Sequence, residues 1–206
     1  ETPCRPETVE PSYDPTKKTV IHSKRSRDRL APSELAALRE MVGKPSASFS
    51  STESVKPAID RVFYSVAGQA GFYGGNTRNS KPPVAQDFRS HVFSEIPSRL
   101  VDGRFLVIGG CAFSKGPDAC WQSGSMAIDL TTGYVAVAIV HRFDARGTTF
   151  YERGHLSILM RACADPALLK FAKAHFPVWA KAELRHVYRD DIRSVGTPSI
   201  LTSRCA

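Results

Sequence analysis

The chain has 206 residues, of which 42% are hydrophobic and 23% are charged, and its formal net charge is +8. This composition is typical of globular domains and excludes collagen-like, coiled-coil and largely disordered classes. No stretch approaches the ~18 consecutive apolar residues of a membrane-spanning helix, and a chain of this length can bury a core without metal ions or dense disulfides.

Residues 1–53 are predicted to form an extended basic arm that carries one short helix. Pro, Thr, Ser and charged residues dominate 1–32, whereas Leu35, Leu38 and Val42 have the spacing of one helix face. Six basic residues of the arm cluster within thirteen positions, where they could bind nucleic acid or another anionic surface, or be a solvated, mobile segment. They are Lys17, Lys18, Lys24, Arg25, Arg27 and Arg29.

Residues 54–206 are predicted to form a single domain. Apolar residues at three- and four-residue steps predict helices over 55–70 and 83–95. The period then changes, and shorter apolar runs predict strands over 104–110, 125–130, 134–140 and 155–160. Asp165-Pro166 is typical of a helix start, and we expect that helix to continue beyond Pro177. The residues from 194 onward are rich in Ser, Thr, Pro and Gly and predict no element.

This order of elements predicts an α+β fold, in which an antiparallel meander is packed by N-terminal and C-terminal helices. The most secure element is the hairpin that turns through Thr131-Thr132-Gly133, since the glycine occupies a position that needs a positive φ. Strand and helix do not alternate as they do in a Rossmann fold or a barrel.

The five cysteines favour an oxidising compartment. Cys111 and Cys120 lie nine apart between two predicted strands, so that opposed strand ends bring them to disulfide distance. Cys163 could pair with either Cys4 or Cys205, and an odd number leaves one thiol over. The chain begins at Glu1 without a methionine, which suggests either a mature secreted or periplasmic protein or a shortened chain. No spacing resembles a zinc site, so no metal or other cofactor is predicted.

The segment between Cys111 and Cys120 is the most distinctive in the chain. A disulfide would close it in advance and reduce the entropy that is lost when it is ordered against a partner. The segment would then hold its side chains on a rigid projection that could enter another protein's cleft; a purely structural crosslink is the alternative. The predicted partner-binding residues are Phe113, Ser114, Lys115 and Asp118.

An enzymatic function is the alternative interpretation. His141 and His155, with basic residues close by in sequence, would suit a metal-free nuclease or a cell-wall hydrolase. A cysteine hydrolase would need Cys111 or Cys163 as a free thiolate beside one of these histidines. Asp129 and Asp165 are interpreted as turn and cap residues, and a structural or envelope-binding module is a third possibility.

The order of elements over about residues 55–140 resembles the inhibitor-of-vertebrate-lysozyme (Ivy) family and related small bacterial periplasmic proteins. The resemblance rests on a helix leading into Ile96-Pro-Ser-Arg-Leu-Val-Asp-Gly103, then the strand to Gly110, the cysteine pair and a hairpin. It implies a periplasmic α+β protein that inserts its disulfide-closed loop into the active site of a cell-wall-cleaving enzyme.

The loop departs from the family pattern, in which it is shorter and carries a histidine. Here eight residues separate Cys111 from Cys120, and none is histidine. Our hypothesis is that Lys115 addresses catalytic carboxylates instead. Because like-charged proteins discriminate against each other, a chain of charge +8 suits a target less basic than animal lysozyme, such as a bacterial hydrolase or a delivered toxin, which would make this an immunity protein.

Overall fold

A computed structural model describes residues 28–67, 92–110, 123–141, 153–187, 194–195 and 199–203. Its helices are α1 (Pro32–Arg39), α2 (Ser48–Ser51), α3 (Lys56–Ala67) and α4 (Pro166–Val187). Its strands are β1 (Arg99–Val101), β2 (Phe105–Gly110), β3 (Ser123–Asp129), β4 (Val135–His141), β5 (Arg153–Arg161), β6 (Ser194–Val195) and β7 (Ser199–Ser203). The succession of helices, strands and a last long helix confirms the predicted α+β class.

The strands form one mixed sheet. From β1 to β5 each strand pairs antiparallel with the next, which confirms the predicted meander. Both β6 and β7 pair in parallel with β5, along its other edge. The central strands are buried on both faces, and every residue of β3 is buried.

Side chains alternate between two hydrophobic clusters, one on each face of the sheet. Helices α1 to α3 cover the face that carries the large aliphatic residues of β2, β3 and β4, such as Ile108, Met126 and Ile139. Helix α4 covers the other face, where β3 and β4 present small residues. Those small residues are Ala127, Ala136 and Ala138.

Large aromatic residues of α4 fill the space above these alanines. Phe176 is fully buried, and Trp179 and Phe171 are nearly so. Phe171 also stacks on Phe105 of β2, with ring centroids 4.2 Å apart. On this face the aromatic residues of α4 thus occupy the space that the small side chains of β3 and β4 leave, so that the interior is closely packed.

The described part of the N-terminal segment contributes to the core. Leu30, Leu38 and Phe49 are buried in the same cluster as α3 and the sheet. Asp28 pairs with Arg161 of β5, with 2.6 Å between Oδ1 and Nη2, and both side chains are almost fully buried. Arg29, the last of the six clustered basic residues, is exposed; the other five lie outside the described residues.

The predicted hairpin and C-terminal helix are confirmed. Gly133 has φ +79°, and a Cβ there would lie 2.4 Å from the carbonyl oxygen of Leu30, so only glycine fits this turn. Asp165 caps α4, since its Oδ1 accepts a hydrogen bond of 2.6 Å from the backbone N–H of Ala167. The helix continues past Pro177 as predicted.

The sequence pattern misses the C-terminal strands, as it also misses the short elements α2 and β1. Residues 194–195 and 199–203 form β6 and β7, although their composition predicts no element. The segment predicted as a helix over 83–95 lies mostly outside the described residues.

Candidate functional site

Short and long connections leave the sheet at opposite ends. We call one end the ion-pair end, where β2 begins at Phe105 and β5 finishes at Arg161. The turns that join β1 to β2 and β3 to β4 at this end have five residues or fewer. We call the other end the loop end, where β2 finishes at Gly110, β3 begins at Ser123 and β4 finishes at His141. Connections of twelve and eleven residues, 111–122 and 142–152, leave from the loop end.

The predicted partner-binding segment joins two neighbouring strands at the loop end. Cys111, Cys120 and the four residues proposed for partner contact, Phe113, Ser114, Lys115 and Asp118, lie outside the described residues. Its base is described: Gly110 pairs with Gly124 in antiparallel register. The two ends of the segment are therefore attached to adjacent buried strands.

This base is braced by a second pair of chain segments. The backbone N–H of Gly109 donates to Ser46 Oγ at 3.0 Å, and that hydroxyl donates to the carbonyl of Ile96 at 2.8 Å. Residues 44–47 and 94–98 are themselves joined by backbone hydrogen bonds on either side of a Pro45–Pro97 bridge.

The close approach of β3 and of Ile96 to the end of β2 requires glycine there. Gly109 has φ +123°, and a Cβ there would lie 2.4 Å from the carbonyl oxygen of Gly124. At Gly110 a Cβ would lie 1.9 Å from Cδ1 of Ile96. The pair Gly109-Gly110 thus has a packing role, and no helix follows it that could bind a phosphate.

The two histidines of the enzymatic alternative come together at the same end of the sheet. His141 closes β4 and lies directly opposite His155 of β5 in the antiparallel register. Directly opposed positions of neighbouring strands have Cβ atoms about 4.5–5.5 Å apart. The sequence placed these histidines in nearby strands, and the register now pairs them.

Cys163 lies in the turn that follows β5, at the ion-pair end, and it is disulfide-bonded. It therefore has no free thiolate to act as a nucleophile, and β5 separates it from His155. Its disulfide partner lies outside the described residues.

An ion pair organises the opposite end of the sheet. Arg104 binds the buried carboxylate of Asp129 in a bidentate manner, with Nε–Oδ1 at 2.9 Å and Nη2–Oδ2 at 2.6 Å. Asp129 also accepts hydrogen bonds from the N–H of Thr131 and from the hydroxyl of Thr132. Asp129 and Asp165 therefore have the turn and cap roles that the sequence suggests.

The pKa values at this end follow from these contacts. Burial by itself raises the pKa of Asp129, but the hydrogen bonds from Arg104, Thr132 and Thr131 outweigh it and hold that pKa below its ordinary value. The same hydrogen bond raises the pKa of Arg104. Every oxygen of Asp129 is engaged in structure, which argues against a role as a proton-transferring acid.

His175 is a titratable group that the sequence did not single out. Its ring stacks on Phe171, with centroids 4.8 Å apart, and its buried Nε2 has no hydrogen-bond partner in the described part of the chain. Burial lowers the pKa of His175, the charge of Arg99 lowers it further, and Asp102 acts in the opposite sense. Helical spacing from Phe171 could have indicated this stack.

Within the described ranges, no three His, Cys, Asp or Glu side chains come together as a set that could hold a metal ion. Over the same residues, no helix has the length and apolar character needed to cross a membrane.

Comparison of the chain with protein-family models, with curated proteins and with solved structures finds no match. Function is therefore inferred from the chemistry and the placement of this chain's own residues. The loop end is the candidate functional site, because it combines the predicted partner-binding segment with the paired histidine positions.

Proposed function

We propose that the protein is a secreted or periplasmic, non-catalytic binding protein that inhibits another enzyme through a disulfide-closed loop, Cys111 to Cys120. Its target is a cell-wall hydrolase or a delivered toxin, against which it would act as an immunity protein. The observation that carries the proposal is that this segment connects two adjacent strands of the buried sheet, β2 and β3. Their pairing continues to Gly110 and Gly124, at the base of the segment.

A braced base favours inhibition because a loop ordered before binding loses less entropy when it enters a cleft. Strand β3 is entirely buried, and Ser46 ties the end of β2 to the segment around Ile96. A disulfide between Cys111 and Cys120 would extend this order into the loop.

The compartment is supported by Cys163. Its thiol is already in a disulfide, and disulfides persist mainly in oxidising compartments such as the periplasm and the cell exterior. The same conditions would keep the proposed Cys111–Cys120 disulfide closed.

The charge of +8 favours an acidic target. Complementary charge accelerates encounter and raises discrimination, and Lys115 would face the catalytic carboxylates that many glycan hydrolases carry. The basic arm would add long-range attraction, which salt would screen.

A binding experiment with matched variants tests this proposal. The protein is titrated against a panel of peptidoglycan hydrolases, namely a muramidase, an amidase and an endopeptidase, while lysis of cell walls and direct binding are measured. For a hydrolase that the wild type inhibits, we expect Lys115→Ala and Phe113→Ala each to raise the Kd at least about tenfold. Lys170→Ala, an exposed position on α4, is the control and should leave the Kd unchanged. Failure of the wild type to bind any of the three classes, or full inhibition by both loop variants, would refute the proposal.

A second candidate, a basic exported nuclease or cell-wall hydrolase, is favoured by one specific observation. The register places His141 directly opposite His155, and two adjacent imidazoles could serve as general base and general acid near neutral pH. In this reading the protein cleaves its own substrate and blocks no other enzyme.

Substrate cleavage distinguishes the two functions. Purified protein is incubated with RNA, with DNA and with peptidoglycan. The enzymatic function requires cleavage that is lost, by about 100-fold or more, in both His141→Ala and His155→Ala. His175→Phe, a histidine outside the pair, is the control and should keep any activity. Absence of cleavage of all three substrates rejects the second candidate.

A further inference from the structure

The disulfide partner of Cys163 follows from the parallel register of β5 and β7. In every pair of this ladder, from Ser157 with Ser199 to Arg161 with Ser203, the two partners are the same number of residues apart along the chain. Cys163 and Cys205 are separated by that number too, since each lies two residues beyond the last pair. Neighbouring strands lie about 4.8 Å apart, so Arg161 and Ser203 end the ladder side by side, and two residues on each chain lead from this pair to a cysteine. So short a connection on each side lets the cysteines reach the Cα separation of about 4.4–6.8 Å that a disulfide spans.

The other cysteines are less well placed. Cys111 follows Gly110, which is aligned across β3 and β4 with Ser157 of β5. Three strand spacings and four residues along β5 therefore separate Gly110 from Arg161, about 19 Å in all. Cys120 is likewise attached at the loop end, three residues before Ser123, and would have to run fully extended back over the sheet.

Cys4 is the remaining competitor, and chain length disfavours it. Its nearest described residue, Asp28, lies beside Arg161 but is 24 residues away along the chain. Cys205 is two residues from the anchored Ser203. Effective concentration falls roughly as the −3/2 power of tether length, so this twelvefold difference favours Cys205 by roughly 40-fold.

We infer that Cys163 and Cys205 form a disulfide that fastens the C-terminal strand β7 to β5. The two thiols lose two protons and two electrons as the sulfur–sulfur bond forms. A small-molecule disulfide of the oxidised-glutathione class accepts them and is released as two thiols. The crosslink lies at the ion-pair end, remote from the loop end, and is independent of the proposed inhibition.

This crosslink would hold β7 in the sheet, and it limits how the other three cysteines can pair. β7 has only five residues and pairs with β5 alone, and residues 157–161 of β5 would present an open edge without it. The pairing leaves Cys4, Cys111 and Cys120, and closure of the loop disulfide then makes Cys4 the single free thiol.

Peptide mapping of the intact protein without reductant tests the assignment. Trypsin releases 162–170, which contains Cys163, and the dipeptide Cys205-Ala206. We expect these two peptides to be linked, and the link to disappear on reduction. A link from 162–170 to the peptide that contains Cys4, or to either peptide of the loop, would overturn the assignment. The same digest reports the loop separately, since Lys115 lies between Cys111 and Cys120 and trypsin cuts there.

Variants test the consequence for β7. Without reductant, Cys205→Ser should lower the Tm by roughly 5–10 °C, and amides 199–203 should exchange with deuterium at least about tenfold faster. Cys4→Ser is the matched control and should behave as wild type. In the exchange of amides 199–203, wild type treated with dithiothreitol should match Cys205→Ser, and unchanged exchange in both would contradict a disulfide that fastens β7.

Discussion

The two ends of the sheet hold their connections by different means. At the ion-pair end, buried or partly buried charges hold the short turns, since Arg104 of the β1–β2 turn binds Asp129, where the β3–β4 turn begins. At the loop end, glycines and a buried serine let neighbouring segments approach, as Gly109 and Ser46 do.

This difference indicates which end is free for function. The carboxylate of Asp129 has its oxygens occupied by Arg104, Thr131 and Thr132, so little is left for a ligand. The loop end uses backbone groups and small residues for its structure.

The largest expected effect is at the ion-pair end. Asp129→Ala should destabilise the protein by about 3 kcal/mol, because it removes the buried carboxylate that Arg104 and two threonines share. Urea unfolding near neutral pH measures the loss. Asp165→Asn is the control: it keeps the cap and removes only a 3.5 Å contact between half-exposed groups, so about 0.5 kcal/mol is expected. Equal losses of unfolding free energy in the two variants would show that the buried Arg104–Asp129 pair stabilises the protein no more than the partly exposed contact does.

The loss of stability at acid pH should depend on the same carboxylate. The pKa of Asp129 is lowered in the folded protein, so its contribution to stability is complete above the unfolded value near 4. That contribution is lost as the pH falls through the lower, folded value. Asp129→Ala should therefore lose less stability than wild type between about pH 5 and about pH 2.

A smaller effect is expected at the loop end. Gly109→Ala should cost about 2 kcal/mol, because the new Cβ would lie 2.4 Å from the backbone oxygen of Gly124 and φ is +123°. Gly103→Ala is the matched control, since it also has positive φ but nothing within 4 Å, and about 1 kcal/mol is expected. If both variants lose the same amount in urea unfolding, close approach does not hold the base of the loop.

Local patterns predicted most of the fold, and long-range pairing accounts for what they missed. The alternation of β4 and the glycine at 133 identify the central hairpin, since both are properties of neighbouring residues. Strand β7 is held by β5 across the whole length of α4, and its serines and threonine carry no alternating pattern. Composition alone therefore identified it as an irregular tail.

The candidate site shows the same limit. That His141 and His155 lie in adjacent strands could be predicted, but their direct opposition depends on the register of β4 and β5. The bidentate contact of Arg104 with Asp129 likewise follows from the register, in which Phe105 is opposite Asp129. Sequence identified Asp129 as a turn residue and gave no sign of its partner.

The smallest expected effect concerns His175, whose ring stacks on Phe171, which in turn stacks on Phe105 of β2. Its pKa is lowered by burial, so the folded protein binds a proton less readily than the unfolded chain does. Its stabilising contribution is thus complete above the unfolded value near 6.5, and it declines as the pH falls from there toward the folded value. His175→Phe keeps the stack on Phe171 and removes the proton site. The urea midpoint should fall less for this variant than for wild type between about pH 7.5 and about pH 5.5. Identical falls would place the acid sensitivity elsewhere, and a larger fall in the variant would mean that the protonated imidazole is favoured by the fold.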